Sequence, residues 1–388
     1  MMLLGYNKAQ YKKHNAKRFI MPHKYLGLHK NQLPTPCLVI DKSKLLSNLS
    51  LMQQLAKDKG VNVRPHTKTH KCSKIAQLQL EYGAIGICVA KISEAQVMVK
   101  AGINGILITS PIIADNKINQ LTELVRQAPD TMLVVDNLDN AAKLNQVFQE
   151  RNLTLNVLLD IDAGIGRTGV ALDKAIDYAH KINQFSSLKF KGIQCYAGHL
   201  QHISDLSQRR MLSHQILQAA GKIKTQLLAQ GIDCQIQTGS GTGTFSLDAE
   251  LTTVSEIQPG SYCVMDQEYS DIEYKEQQFL PAMTMLTTVI SNNHSTHVTV
   301  DAGTKALYRV ATKPRIISHE NLHYDWDGFG DEHGKVTAVS GDLPAPGEII
   351  ELVVAHCDPT INLFDYFYIT ENDYVVDIWT IDARGCCQ

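Results

Sequence analysis

The sequence predicts an α/β protein in which an eight-stranded parallel barrel of the TIM type is followed by an antiparallel β domain. Between residues 42 and 275, short apolar runs alternate with longer segments of helical spacing. Runs of this kind, each followed by a helix, are typical of parallel strands buried on both faces. Eight such units match a closed α/β barrel. An open doubly wound sheet is disfavoured because no early run precedes a GxGxxG motif.

The eight predicted strands follow one another along this part of the chain. They cover residues 61–63, 84–89, 105–109, 132–136, 155–162, 190–196 and 234–237, with a weaker one within 252–257. Helical spacing is clearest in residues 93–101, which end before Gly102, and in 115–126, which end before Pro129. Glycine and proline commonly stop helices at these positions.

After about residue 275 the pattern changes to short β-type segments separated by turn residues. They cover residues 283–291, 297–301, 335–340, 347–354, 366–370 and 374–381, and the last two are predicted to pair as a hairpin. We therefore divide the chain into residues 1–40, a barrel over 41–275 and a β domain over 276–388. Residues 1–40 are interpreted as a basic arm with a lead-in strand that joins the β domain or packs beside it. No acidic residue precedes Asp41, and a solvated arm is favoured over a targeting peptide.

The composition narrows the class of protein. With 44% hydrophobic and 20% charged residues, the chain is typical of a globular protein. A net charge of −2 gives no general affinity for nucleic acid, and no run approaches the ~20 apolar residues of a membrane span. The nine cysteines are scattered without CxxC pairs, which favours a reducing compartment and hence a cytoplasmic location.

Four motifs follow predicted strands, and loops at the carboxyl ends of barrel strands carry functional groups. They contain Lys68 after the first strand, Arg167 after the fifth, Tyr196 and His202 after the sixth, and the Gly-rich segment 238–244 after the seventh. Each motif alone is weak evidence. Their position on one rim indicates a shared site.

Lys68 lies in the basic segment Arg-Pro-His-Thr-Lys-Thr-His-Lys, residues 64–71. Neighbouring positive charge and partial burial are expected to lower the pKa of the lysine, and a neutral amine can form a Schiff base. On charge alone a basic surface turn would be favoured, and the motifs in the rest of the chain reverse that preference.

Two loops have the composition of anion and cofactor sites. Glycines and hydroxyls in residues 238–244 are suited to bind phosphate at a helix N-terminus, with a flexible loop as the alternative. No lysine follows them, which disfavours a nucleoside triphosphate. Arg167 either forms a salt bridge to Asp160 or Asp162 or donates to a cofactor ring nitrogen.

His356 and Asp358 form a candidate cation site. Side chains at i and i+2 of an extended segment point the same way, so an imidazole and a carboxylate could share one cation while Cys357 faces away. A buried His–Asp pair or a turn before Pro359 is the alternative.

Taken together, these motifs resemble the D-threonine aldolase and D-serine dehydratase family of alanine-racemase-like pyridoxal-phosphate enzymes. The resemblance runs from about residue 33 to the end and rests on residues 35–41, 64–71, 162–169, 238–244 and 356–362. It implies that Lys68 is the Schiff-base lysine, that Arg167 faces the pyridine nitrogen and that His66 and Tyr196 line the cofactor. It places the phosphate on Thr238, Ser240, Gly241 and Thr242. It also implies His202 near the substrate hydroxyl, and a homodimer.

Family members carry a metal at the position of His356 and Asp358. The dehydratase branch resembles His-x-Cys, a thiolate choice that suits zinc. The carboxylate of Asp358 favours manganese or magnesium over zinc, with water and substrate completing the coordination sphere.

The sequence therefore predicts a pyridoxal-phosphate and metal-dependent aldolase that cleaves D-3-hydroxy amino acids, such as D-threonine to glycine and acetaldehyde. Its partner is a small D-amino acid. A D-serine or D-3-hydroxyaspartate dehydratase is the first alternative, and a non-catalytic pyridoxal-phosphate carrier is the second. A racemase would need a second base, which the sequence does not identify.

Overall fold

A computed structural model of the chain describes residues 23–275, 279–326 and 328–388. Two sheets organise them: an eight-stranded parallel sheet that curls into a barrel and a nine-stranded, mostly antiparallel sheet. Both parts of the predicted fold are thus confirmed. Most of the predicted basic arm, residues 1–22, lies outside the described residues, and the division at residues 40 and 275 stays a prediction.

The strand β1 (Cys37–Asp41) belongs to the second sheet, and the next eight strands form the barrel. These are β2 (Asn62–Val63), β3 (Ile87–Val89), β4 (Ile106–Ile108), β5 (Met132–Val135), β6 (Leu155–Ile161), β7 (Leu188–Cys195), β8 (Ile236–Gly239) and β9 (Glu256–Ile257). Neighbours pair in parallel from β3 to β9, and β9 pairs with β2. All eight overlap the predicted strands.

The barrel closes between the segment after β2 and strand β3. The N–H of Cys88 donates to the carbonyl of Pro65 (2.8 Å), and the N–H of Thr67 donates to the carbonyl of Cys88 (2.9 Å). Pro65 has no N–H of its own, so regular strand pairing ends at this point while the chain continues along β3. This course carries Lys68 to the rim of the barrel.

Ten helices are distributed along the described residues. They are α1 (Lys42–Lys59), α2 (Ser73–Glu81), α3 (Ile92–Lys100), α4 (Asp115–Gln127), α5 (Leu138–Glu150), α6 (Ala175–Asn183), α7 (Leu206–Ala229), α8 (Phe245–Asp248), α9 (Gln267–Ser270) and α10 (Cys357–Ile361). Local sequence explains their ends. Asp41 caps α1 by accepting the N–H of Lys44, and α1 ends at Gly60, whose φ of 70° suits glycine.

The second sheet runs in the order β13-β14-β11-β10-β1-β16-β17, with β15 pairing β10 and β12. Its remaining strands are β10 (Met283–Ser291), β11 (Val298–Val300), β12 (Arg315–Ile316), β13 (Leu322–Asp325), β14 (Gly334–Ala338), β15 (Ile349–Val353), β16 (Tyr366–Glu371) and β17 (Tyr374–Thr380). Strands β16 and β17 form the predicted hairpin, and Asn372 and Asp373 take the positive φ values that its turn requires. Strand β1 lies between β10 and β16.

The second sheet reaches the active-site end of the barrel through its C-terminal segment. The carboxylate of Asp382 accepts the backbone N–H of Ser73 (2.9 Å) at the start of α2, and the N–H of Ala383 donates to the carbonyl of Lys71 (2.9 Å). The chain after β17 therefore holds the segment that carries Lys68. None of the helices in the described ranges combines the length and apolar composition of a bilayer crossing.

Candidate active site

A cavity of about 240 Å³ opens at the carboxyl ends of the barrel strands. This is near the lower end of the range for small-molecule sites, about 300–1,000 Å³. The predicted site residues that line it are His66, Lys68, Arg167, Tyr196, Ser240, Gly241 and Thr242. Four separate loops thus contribute to one site.

Lys68 contacts Asp358, which lies in the helix α10 between strands β15 and β16 of the second sheet. Its ammonium forms an ion pair with the Asp358 carboxylate, and its side chain is 44% exposed, towards the cavity. Burial alone would lower the pKa of Lys68, but attraction by Asp358 and Tyr196 outweighs it and raises the pKa above its ordinary value.

The expectation that neighbouring cations lower the pKa of Lys68 is therefore wrong in this structure. Those cations have carboxylate partners of their own. Arg64 pairs with Glu256 at 2.8 Å, and Lys71 pairs with buried Glu94. Lys71 is buried in its pair with Glu94 and, unlike Lys68, does not line the cavity.

His66 and Arg167 both line the cavity. His66 is buried with Nε2 3.0 Å from the hydroxyl of Thr109, and burial followed by the charge of Lys68 holds its pKa well below the usual range. The imidazole of His66 is therefore neutral, and its flat ring can pack against a ligand. The guanidinium of Arg167 lies 5.4 Å from the ring centre of Tyr196.

The salt bridge considered for Arg167 does not form with the described carboxylates. Asp160 accepts from the Thr168 hydroxyl (2.7 Å) and from Gln194 (2.9 Å), whereas Asp162 accepts the backbone N–H groups of Gly164 and Gly166. Burial raises the pKa of Asp160 to about 6, more than Arg167 and the hydrogen bonds lower it. Within the described residues, Arg167 is left to donate to a ligand.

The Gly-rich loop has features that suit a phosphate. The Ser240 hydroxyl is buried near the Asp248 carboxylate, on which it acts electrostatically, but it makes no hydrogen bond of regular geometry. Thr242 lines the cavity beside it, and its hydroxyl accepts the N–H of Tyr262 (3.1 Å). An unpaired buried donor is costly unless a ligand satisfies it, so the loop fits a bound anion.

Two expectations about this loop change. Thr238 lies within β8, where its hydroxyl accepts from Gln258 (3.0 Å), and it does not line the cavity. The helix α8 that follows has four residues, too few to add much positive potential. The glycines also have a structural cause, because a Cβ on Gly241 or Gly243 would collide with Gln201.

His356 and Asp358 are close together, although the segment is not extended. His356 is the N-cap of α10, and Asp358 lies in its first turn. The expectation of an extended segment was wrong. Pro359 is the third residue of a five-residue helix, and proline is compatible with the first turn of a helix. The Asp358 carboxylate contacts Lys68 and accepts from the Ser261 hydroxyl (3.3 Å).

Electrostatics keep Asp358 ionised and Cys357 protonated. Burial would raise the pKa of Asp358, but Lys68 and His356 outweigh it and hold that pKa below its usual range. Burial raises the pKa of the Cys357 thiol well above normal. The thiol does not simply face away, since its Sγ lies 3.4 Å from an Asp358 oxygen. A neutral thiol is a poor metal ligand, so the carboxylate is the better donor.

Two acidic residues beside His356 were not found from the sequence. His356 Nδ1 lies 3.2 Å from Asp266 Oδ2 and 3.2 Å from Glu268 Oε2, which leaves Nε2 as the remaining ring nitrogen. No local motif marked either residue. Among the described residues, no group of three or more His, Cys, Asp or Glu could hold a metal ion. The two candidate ligands are therefore His356 and Asp358, whose imidazole and carboxylate act on each other electrostatically, and a cation held by both would need water or substrate to complete its coordination sphere.

His202 lies beside this pair, at the surface but partly covered by the rings of Tyr269 and His356. Its ring centre lies 4.5 Å from that of Tyr269, which lines the cavity, and 6.3 Å from that of His356. Burial, followed by the charges of His356 and Lys68, lowers the pKa of His202 although Asp266 raises it. The imidazole is thus neutral near pH 7 and can accept a proton.

Comparison with known proteins gives two family models that match successive parts of the chain. The alanine racemase N-terminal domain matches residues 40–268, and a serine dehydratase domain matches residues 282–370. The D-threonine aldolase of Arthrobacter sp. is 35% identical over 91% of this chain and 93% of its own length. The 3-hydroxy-D-aspartate aldolase of Paracoccus denitrificans (strain Pd 1222) is 31% identical over 92% and 94%.

Solved structures agree with this match. The D-threonine aldolase of Filomicrobium marinum superposes with a TM-score of 0.88 at 34% identity, covering 94% of this chain and 98% of that one. The D-threo-3-hydroxyaspartate dehydratase of Delftia sp. HT23, with a TM-score of 0.80 at 24% identity over 91% and 98%, shares the fold.

Proposed function

The chain belongs to the D-threonine aldolase and D-serine dehydratase family of alanine-racemase-like proteins, and from this premise we propose that it is a lyase that cleaves D-3-hydroxy amino acids, with D-threonine giving glycine and acetaldehyde. The observation that carries the proposal is the contact between Lys68 of the barrel and Asp358 beside the second sheet. The Lys68 amine and the neutral His66 imidazole line one cavity, and the Asp358 carboxylate contacts the amine. The proposal includes a cytoplasmic homodimer.

Pyridoxal phosphate, when bound, supplies the electron sink for breaking the Cα–Cβ bond. Lys68 is the residue that would hold it covalently, between His66 and Tyr196. Arg167, which is always protonated, would donate a hydrogen bond to the ring nitrogen without transferring a proton. Ser240, Gly241 and Thr242 would bind the phosphate, and Thr238 would support their loop from β8.

A divalent metal ion, when bound, supplies a Lewis acid beside the substrate hydroxyl. His356 and Asp358 would hold it, and their imidazole and carboxylate donors suit manganese or magnesium. His202 would accept the proton of the β-hydroxyl, because its neutral ring packs against Tyr269, which lines the cavity. The hydroxyl oxygen becomes the carbonyl oxygen of acetaldehyde as the Cα–Cβ bond breaks, and Cα takes up a proton to give glycine.

The requirement for the metal tests this function. Protein treated with a strong chelator should lose D-threonine cleavage, retain its visible cofactor band and recover activity with Mn²⁺. Borohydride should fix the cofactor to Lys68, and peptide mapping should find no label on Lys71. Cleavage that survives exhaustive chelation, or a label at another lysine, would contradict the proposal.

A further inference from the structure

The buried carboxylate of Asp266 helps to join the end of the barrel to the segment that carries His356. Asp266 is 0% exposed. Its Oδ1 accepts the backbone N–H of Tyr269 (2.9 Å) as the N-cap of α9. Its Oδ2 accepts the backbone N–H of Cys357 (2.9 Å) and lies 3.2 Å from Nδ1 of His356. Both oxygens are thus fixed by backbone donors on two parts of the fold.

This geometry favours a proton on Nδ1 of His356. An ionised carboxylate can only accept hydrogen bonds, so Nδ1 must be the donor. A neutral imidazole has one N–H, and Nε2 is then left with a free lone pair. The ring is also held in orientation, because Asp266 binds the backbone N–H of the residue that follows His356.

Asp266 is better placed for this task than Glu268, which lies at the same distance from Nδ1. Glu268 is 21% exposed, and the described structure gives its carboxylate no backbone donor. Asp266 has two such donors. The preceding residue, Met265, also has a φ of 56°, an unfavourable value for a residue with a side chain. Strain of this kind accumulates where a functional group must be placed.

We propose that Asp266 is a positioning residue that fixes His356 as the Nδ1–H tautomer and directs Nε2 towards the cation shared with Asp358. The inference rests on the proposed metal role of His356 and deepens it. A carboxylate behind a histidine ligand orients the ring and makes it more basic, and loss of such a group weakens metal binding about 10- to 100-fold.

The tautomer can be read in the unaltered protein. Metal-free protein labelled with ¹⁵N-histidine is examined by long-range ¹H–¹⁵N NMR at a pH where the ring is neutral. The signals of His356 are assigned by their loss in His356→Gln. The proposal expects the proton on Nδ1. A proton on Nε2 would overturn it, and this result requires no variant of Asp266.

Metal binding provides the second readout. Mn²⁺ is titrated into metal-free, cofactor-loaded protein, and free Mn²⁺ is measured by electron paramagnetic resonance. Asp266→Asn should weaken binding about 10- to 100-fold while the visible cofactor band is retained. Asp271→Asn, which removes an exposed carboxylate at the end of the same helix, should bind as the unaltered protein does. Glu268→Gln should weaken binding less than threefold.

The outcomes separate the two proposals. A folded Asp266→Asn variant with unchanged affinity, or a larger loss in Glu268→Gln, would refute the positioning role alone. Failure of the unaltered protein to bind Mn²⁺, Mg²⁺ or Zn²⁺ would refute the metal role of His356 and with it the proposed mechanism.

Discussion

Replacing His202 with alanine should reduce catalysis far more than stability. The ring is exposed, so its removal should cost no more than about 1 kcal/mol of unfolding free energy, mainly from the contact with Tyr269. Loss of a general base lowers kcat by about 10²- to 10⁴-fold. The pKa of His202 is lowered from its ordinary value of 6.5. The rate of the unaltered protein should therefore rise with pH as His202 loses its proton and become constant once the ring is neutral. The variant should lose this dependence.

The assay is the initial rate of acetaldehyde release from saturating D-threonine, followed by a coupled reduction. His199→Ala is the matched control, since His199 is an exposed histidine three residues earlier in the same loop. It should retain near-normal kcat. Added imidazole should partly restore His202→Ala. A His202→Ala variant within threefold of normal kcat would show that the proton goes elsewhere.

Three further predictions concern the cofactor, the metal and stability. Lys68→Ala should lose the visible band and remain folded, whereas Lys71→Ala should keep the band and lose about 3 kcal/mol in urea unfolding, because its partner Glu94 is left buried. Asp358→Ala should abolish turnover and metal binding with the cofactor band intact, whereas Cys357→Ser should change metal affinity little. A larger loss of metal affinity in Cys357→Ser than in Asp358→Ala would identify the sulfur as the ligand. Burial lowers the pKa of His70 to about 4, so the unfolded chain binds its proton first as pH falls below 6.5, and about 3 kcal/mol should be lost by pH 4. If urea titrations show no loss of unfolding free energy between pH 6.5 and pH 4, or the same loss in His70→Asn, this histidine is not the cause.

The fold, and which residues lie on the rim of the barrel, could be predicted because both follow from the periodic pattern of apolar residues. Apolar runs of four to eight residues mark the barrel strands, and parallel strands bring their carboxyl ends to one edge. Lys68, Arg167, Tyr196 and Ser240 therefore meet at one cavity despite their separation in the chain. Strands β12 and β13 were not predicted, since two and four residues are too few to show alternation.

The electrostatics of the site could not be predicted, because they depend on contacts between distant segments. The basic character of residues 64–71 suggested a lowered pKa for Lys68. In the fold, Asp358, 290 positions away, pairs with that lysine and reverses the shift. Asp266 is likewise 90 positions from His356, and its approach depends on how the end of the barrel meets α10. Nothing in local sequence encodes either contact.

The local geometry at His356 was misjudged for a different reason. Spacing at i and i+2 indicated a strand, but Asp358 and Pro359 are also typical of a first helical turn. The helix α10 brings the two side chains to the same site by another route. The chemistry of His356 and Asp358 marked them as candidates, and their role stays a prediction, while the helical backbone that presents them was not predicted.

The products formed from D-threonine test the central claim most directly. Protein loaded with pyridoxal phosphate and Mn²⁺ is incubated with D-threonine and, separately, with L-threonine, and products are quantified by chromatography against standards. The retro-aldol account predicts glycine and acetaldehyde in equal amounts from D-threonine and no cleavage of L-threonine. Formation of 2-oxobutanoate and ammonia as the main products would contradict it and assign the site to elimination.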